Sequence, residues 1–270
     1  SEDGHSGPTF SRDIAPIVYE NCVVCHRPNQ AAPFSLVTYE QVSRRARLSS
    51  RVIDTGYMPP WKPAPGHGDF FDERRLTSEE ISLFKEWASN GKPEGDPSEL
   101  PELPVFPERW QLGQPDLILK MDETFTIPAD GPDIYRNFIV DTGLEKEVWI
   151  RAIELIPRSP RVAHHVLVFA DEMGVARALD ARDDIPGFAE MIPPSQLLGT
   201  YVPGATPRKL SEGFARRLPE GSPLILQAHF HPSGKEEIEQ FEVGIHLSST
   251  PSVKSIVDLQ LPELFGIGMG

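Results

Sequence analysis

Residues 22–26, Cys22-Val23-Val24-Cys25-His26, decide how the first part of this chain is read. Two thiols one helical turn apart, followed at once by an imidazole, form a c-type haem attachment site: both sulfurs can add to the haem vinyl groups while the histidine reaches the iron. A structural zinc site needs four ligands, and these are the only two cysteines among 270 residues. A thioredoxin-like redox pair opens a helix after a strand and has no use for the adjacent histidine. Haem c is therefore the expected cofactor, attached at Cys22 and Cys25, with His26 as the proximal axial ligand.

Working outward, Thr38 with Gln41 makes a capping box, Val42, Ala46 and Ile53 take the buried positions of a helix, and Gly56 stops it. Beyond it, Tyr57-Met58-Pro59-Pro60-Trp61 carries a thioether on a proline-stiffened loop, and Met58 is expected as the second axial ligand. His67, in Gly66-His67-Gly68, is the competing ligand, and plain core filling is the ordinary alternative for a methionine. Thr77 and Glu80 cap a further helix that bears Ile81, Phe84, Trp87 and Ala88 and ends at Asn90-Gly91. Phe10, Ile14, Ile17 and Val18 mark the helix leading into the cysteines, with Pro16 limiting where its first turn begins. Residues 1–92 thus read as a small all-α cytochrome c domain with a frayed start.

Composition then changes. Gly91 to Pro97, followed by Pro101, Pro104 and Pro107, holds too many helix and ladder breakers for an element interior, so residues 93–109 read as a Pro-rich linker. Downstream come short β-branched or alternating runs: Leu117 to Met121, Phe125 to Ile127, Arg136 to Val140, Glu147 to Glu154, Ala163 to Phe169, Pro223 to His229 and Phe241 to Leu247. Residues 110–270 are therefore expected to form an all-β antiparallel sandwich. The stretch from Asp180 to Lys209 is too long and too rich in Pro and Gly for a hairpin loop, and is expected to cover a sheet face or mouth.

A net charge of −14 argues against nucleic acid or anionic membrane surfaces as partners. No stretch approaches a transmembrane span and no signal peptide is present at the N-terminus, yet covalent haem attachment demands export, so a periplasmic or extracellular location is expected.

Five histidines fall in the second part of the chain: His164, His165, His229, His231 and His246. The pair His164-His165 opens an apolar run and His229-Phe230-His231 ends another, and imidazoles from neighbouring strands make a natural transition-metal site. Adjacent strand residues point to opposite faces, so joint ligation by His164 and His165 requires a bulge or a strong twist. The ordinary alternative is a set of polar residues bonded to backbone at strand ends.

Ala163-His164-His165-Val166-Leu167-Val168-Phe169 and Leu224-Ile225-Leu226-Gln227-Ala228-His229-Phe230 resemble the N-terminal copper domain of the copper type II, ascorbate-dependent monooxygenases, the family of peptidylglycine α-hydroxylating and dopamine β-monooxygenases. The whole chain resembles bacterial members in which a cytochrome c precedes that domain, including Met58-Pro59-Pro60-Trp61 and His231-Pro232-Ser233-Gly234. The resemblance implies a jelly-roll-like sandwich over about residues 110 to 265, copper on His164, His165 and His229, and a distorted strand at the histidine pair. It leaves His231 in a supporting or surface role, and likewise His246, which alternates outward from Val243, Ile245 and Leu247.

The family's second, oxygen-activating copper domain, with its His-x-His pair and methionine, is expected to be absent from this chain, whose Leu264 to Gly270 read as a linker cut short. A mimic from His229, His231 and Met269 is disfavoured because His229 is already used and Met269 lies at a terminus. The implied activity is O2-dependent hydroxylation of a C–H bond in a peptide or small molecule. Electrons would come from a redox protein, a quinone-linked system or ascorbate, through the haem to the copper, and zinc is an alternative occupant. The alternative class is an electron-transfer cytochrome with a copper-binding or docking β-domain. A dehydrogenase subunit is weaker, since no Gly-x-Gly-x-x-Gly run is present.

Overall fold

The computed structural model describes residues 7–257 apart from 62, 71–72, 108, 183, 191–195 and 255. Leu264 to Gly270, Met269 among them, lie outside the described residues. The chain divides into two compact units, Ser1–Phe106 and Pro107–Gly270.

In the first unit a π-helical turn, Phe10–Ile14, runs into α1 (Ala15–Asn21), and α2 (Tyr39–Asp54) and α3 (Ser78–Ser89) follow. Pro16 falls at the start of α1, where its fixed φ suits the helix. Both capping boxes form, Thr38 with Gln41 and Thr77 with Glu80, and each such cap contributes about 1 kcal/mol. α2 buries Val42, Ala46, Ser49 and Ile53 along one stripe, and α3 buries Phe84 and Trp87. These pack with Phe10, Ile14, Val18, Val23 and Leu36 into one core.

The breaker-rich stretch after α3 is not loose at its start. The Phe10 and Ser11 amides donate to the carbonyls of Pro93 and Glu94, and the Trp87 indole donates to the Pro93 carbonyl at 2.9 Å. Prolines there remove donors but not acceptors, and the buried aromatic cluster supplies the missing donors.

The second unit holds antiparallel sheets packed face to face. One runs β1 (Leu117–Lys120), β10 (Glu242–Leu247), β4 (Val148–Ile156), β7 (Arg216–Leu218); the other runs β3 (Ile134–Val140), β8 (Leu224–Phe230), β5 (Ala163–Ala170), β6 (Leu197–Tyr201). A separate pair joins β2 (Phe125–Ile127) to β9 (Glu237–Glu239). Alternate residues point inward: Val166, Val168, Leu226, Ala228 and Phe230 from one sheet meet Ile150, Ile153, Leu155, Val243 and Ile245 from the other.

The strands β6, β7 and β9 carry no clear run in the sequence. β7 and β9 are three residues each and charged, which suits sheet edges, where solvent takes one side of the ladder. The Asp180 to Lys209 stretch contains β6, at a sheet edge. The short helix α4 (Ala176–Asp180) and Phe188 cover part of the outer face of the β3–β8–β5–β6 sheet, forming a small second core with Phe169 and Ile225. Gly187, at φ +77°, permits this: a Cβ there would stand 2.3 Å from the Asn137 carbonyl oxygen. β8 is therefore buried on both faces over much of its length.

One expectation is corrected. His246 does alternate away from Val243 and Ile245, but it is buried, because the outer face of β10 is covered by Trp110 and Pro115 packed against Gly244. It bonds buried Glu154 at 2.8 Å, and Glu154 also accepts from the Gln111 and Leu112 amides. Among the described residues no helix is long and apolar enough to cross a membrane.

Two predictions follow from this packing. Phe241 is fully buried between Phe230 and Phe138, so Phe241→Ala should cost about 3–5 kcal/mol in denaturant unfolding of the β unit. Buried Glu239 accepts N–H bonds from Arg158, Ser159 and Gln240, yet burial pushes its carboxyl up to about 7 from an ordinary 4.5. Within that window the folded chain keeps a proton that the unfolded chain has released, so this group's contribution to stability falls as pH rises. The thermal midpoint should drop between about pH 5 and pH 8, and Glu239→Gln should flatten that slope; an unchanged slope would assign it to other groups.

Candidate functional site

At the end of α1 the helical turn continues through the cysteine motif: the His26 amide donates to the Cys22 carbonyl at 2.9 Å, and the Cys25 amide donates to the same carbonyl at 3.2 Å. Cys22 and Cys25 thus lie on one turn, both as free thiols and both partly exposed. The His26 ring donates from Nδ1 to the Phe34 carbonyl at 2.9 Å and packs on the Phe34 ring, which leaves the Nε2 lone pair as its ligating atom. Burial lowers the His26 pKa, opposed by the bond to Phe34, so the neutral, ligating form is favoured at pH 7.

Met58 lies elsewhere in the helical unit, on the wall of a cavity of about 300 Å³ with Ile53, Trp61, Arg75, Leu76 and Ile81. That is within the size range of small-molecule pockets. His67 is exposed and does not line it. The segment after the Met58 loop connects the two sets of residues: Arg74 acts electrostatically on Cys25, while Arg75 and Leu76 line the cavity. Among the described residues two buried donors lack a hydrogen-bond partner, Arg27 Nε and Trp61 Nε1. The Arg27 guanidinium lies over the Phe106 ring, so the open donors are its Nε, on a residue that acts electrostatically on Cys25, and the Trp61 indole on the cavity wall; a ligand with acceptor atoms, such as haem with its propionates, would satisfy them.

In the β unit His229 stands on β8 and His165 on β5, paired directly across the ladder. The register slips between Ala163 and His165, so His164 is the extra residue of a bulge. Without it, His164 would share the inward face of Val166; with it, both imidazoles of the pair reach the same side as His229. The Nδ1 atoms of His164 and His165 are 3.2 Å apart, and those of His165 and His229 are 3.4 Å apart. The group can hold a metal ion, with one nitrogen from each ring inside a 4.8 Å span. The three rings grade from exposed His164 through half-buried His165 to buried His229. Burial lowers the His165 pKa, and positive charge on His229 or His164 would lower it further, which keeps a lone pair available.

Sequence reasoning missed the residues that support this group. Asp133 bonds His229 Nε2 and His231 Nδ1, each at 2.7 Å, and Tyr135 stacks on the His229 ring at 4.2 Å. The bonds from His231 and then His229 hold the Asp133 carboxyl below its usual range. His231 is otherwise exposed, so it is both a surface and a supporting residue. The only signal for Asp133 was a turn composition, Gly131-Pro132-Asp133, which says nothing of partners 96 and 98 positions away.

The chain matches no protein-family model, no curated protein and no solved structure.

Burial pushes the Cys22 thiol up to about 12, with Cys25 adding to the effect, while Arg74 and Arg27 partly offset the rise at Cys25. In chain prepared without haem, iodoacetamide should therefore alkylate Cys25 faster than Cys22, as read by peptide mass analysis over time. Equal rates would show that the two arginines do not favour the Cys25 thiolate.

Proposed function

We propose that this chain is an exported oxidoreductase, with a haem c in its cytochrome-c-like helical unit and a copper ion in its jelly-roll-like β unit. It passes electrons from an external donor toward a copper type II monooxygenase reaction. The observation that carries the reading is the convergence of three histidine Nδ1 atoms at a bulge built into an otherwise regular sheet. An insertion that brings three imidazole lone pairs together costs ladder pairing, and a bound cation offsets both that loss and the repulsion between the lone pairs.

On this reading Cys22 and Cys25 carry the thioether bonds, His26 offers Nε2 to the iron, and Met58 offers its thioether from the cavity wall. Copper bound by three imidazoles supplies one-electron storage. The chain's own residues do the rest: His229 and His165 are fixed by the β8–β5 ladder, His164 closes the group from the exposed side, and the buried side of the site limits water. Hydroxylation of a C–H bond needs two electrons and two protons for each O2, and this chain's part is the electron supply. The β unit serving only to bind copper or dock a partner is the alternative outcome of the experiments below.

Protein exported with haem-maturation machinery should contain about one copper per haem iron, and a variant with His164→Ala and His165→Ala should lose the copper and keep the iron. Zinc in place of copper would reassign the site as non-redox. Iron without either metal, even after reconstitution, would make the histidines structural and overturn the proposal. Met58→Ala should lower the haem midpoint potential, since thioether ligation raises it; an unchanged potential would remove Met58 from the iron.

A further inference from the structure

Asp133 stands immediately before β3 and is not one of the three clustered histidines, yet both of its oxygens are engaged by histidine. Oδ2 accepts from His229 Nε2 and Oδ1 accepts from His231 Nδ1, each at 2.7 Å. An ionised carboxylate can only accept, so the His229 proton sits on Nε2 and the lone pair on Nδ1, the atom that faces His165. Two residues further along, Tyr135 pairs with His229 in the ladder and lies over its imidazole, 4.2 Å between centroids and 12° from parallel. His229 is therefore held within its ring plane by a hydrogen bond and across it by a stacked ring. His164 and His165 differ: their ring contacts are with each other and with His229. One member of the group is oriented from outside, and the other two are arranged around it.

We propose that Asp133 is the positioning residue of this metal site: it selects the His229 tautomer, aims Nδ1 at the ion, and places a negative charge behind that ligand. The proposal rests on the reading of His164, His165 and His229 as metal ligands. A carboxylate bonded to the far nitrogen of a ligand imidazole raises the basicity of the near one. That favours the more highly charged state of the metal, so Asp133 strengthens Cu(II) binding more than Cu(I) binding and lowers the potential. The bond from His231 holds the second oxygen, which keeps the carboxylate plane turned toward His229.

The test uses the full haem-loaded chain and copper alone as the probe, comparing the unaltered protein with Asp133→Asn, Asp133→Ala and Asp133→Glu. Copper content of the unaltered protein is measured first, then Cu(II) affinity by competition, the copper midpoint potential, the Cu(II) electron paramagnetic resonance spectrum and the thermal midpoint. Asn keeps an acceptor oxygen without the charge. It should weaken Cu(II) binding about 10–100-fold, raise the potential and change the spectrum, with the thermal midpoint of the metal-free protein little altered. Ala should do the same or more, and Glu should recover part of the affinity. Copper bound by the unaltered protein with affinity, potential and spectrum unmoved in both Asn and Ala variants would overturn the role of Asp133 and leave the three-histidine site standing. No copper in the unaltered protein would overturn the site and this proposal with it.

Discussion

A single extra residue in β5 governs the chemistry available to the β unit, because a β-ladder otherwise separates neighbouring side chains to opposite faces. His165 pairs with His229 across β5 and β8, so those two rings meet whatever surrounds them. His164 joins them only because the register slips by one position between Ala163 and His165. The slip is tolerated because the strand on its far side remains anchored: Val166, Val168 and Ala170 lie fully in the inter-sheet core, and β8 opposite is buried on both faces. A rigid frame thus carries one local irregularity, and the irregularity is where three imidazole nitrogens converge.

The supporting groups around that point come from a third strand. Asp133 and Tyr135 reach His229 because β3 pairs with β8 on the side away from β5, in a register that sets Tyr135 opposite His229. One histidine is thereby flanked by a second histidine on one side and by a carboxylate and an aromatic ring on the other. A similar logic of burial joined to polar partnership appears at Glu154 and His246. This is a buried pair in which Glu154 also accepts two backbone amides, so its oxygens are held by several bonds rather than by one contact. Removing Glu154 would leave buried His246 without that partner, whereas Glu154 without His246 would keep its two backbone amides.

The helical unit depends on a different device. Two capping boxes set where α2 and α3 begin, and Phe10, Phe84 and Trp87 form the aromatic centre onto which the proline-rich tail of the unit is bonded. The cysteine motif continues the turn at the end of α1 rather than standing in a loop, so its thiols inherit the helix's spacing. Among the described residues of this unit, Arg27 Nε and Trp61 Nε1 are buried donors without a hydrogen-bond partner.

Local chemistry determined much of this from sequence alone. The capping boxes, the helix stripes of α2 and α3, the proline-rich break, seven of the ten strands among the described residues and the cysteine–histidine turn all follow from residues within a few positions of one another, where propensity and periodicity act. The histidines were visible as residue types, and their need for a bulge followed from strand geometry. What only the tertiary structure decided is where distant positions meet: the register that sets His165 against His229, the carboxylate of Asp133 on His229 and His231, Trp110 packed against Gly244 on the outer face of β10, the bond from His246 to buried Glu154, and the short charged edge strands β7 and β9. Those contacts arise from sheet pairing between segments far apart in the chain, and no local preference of Asp133 or His246 distinguishes a surface side chain from one held in place by a neighbouring strand.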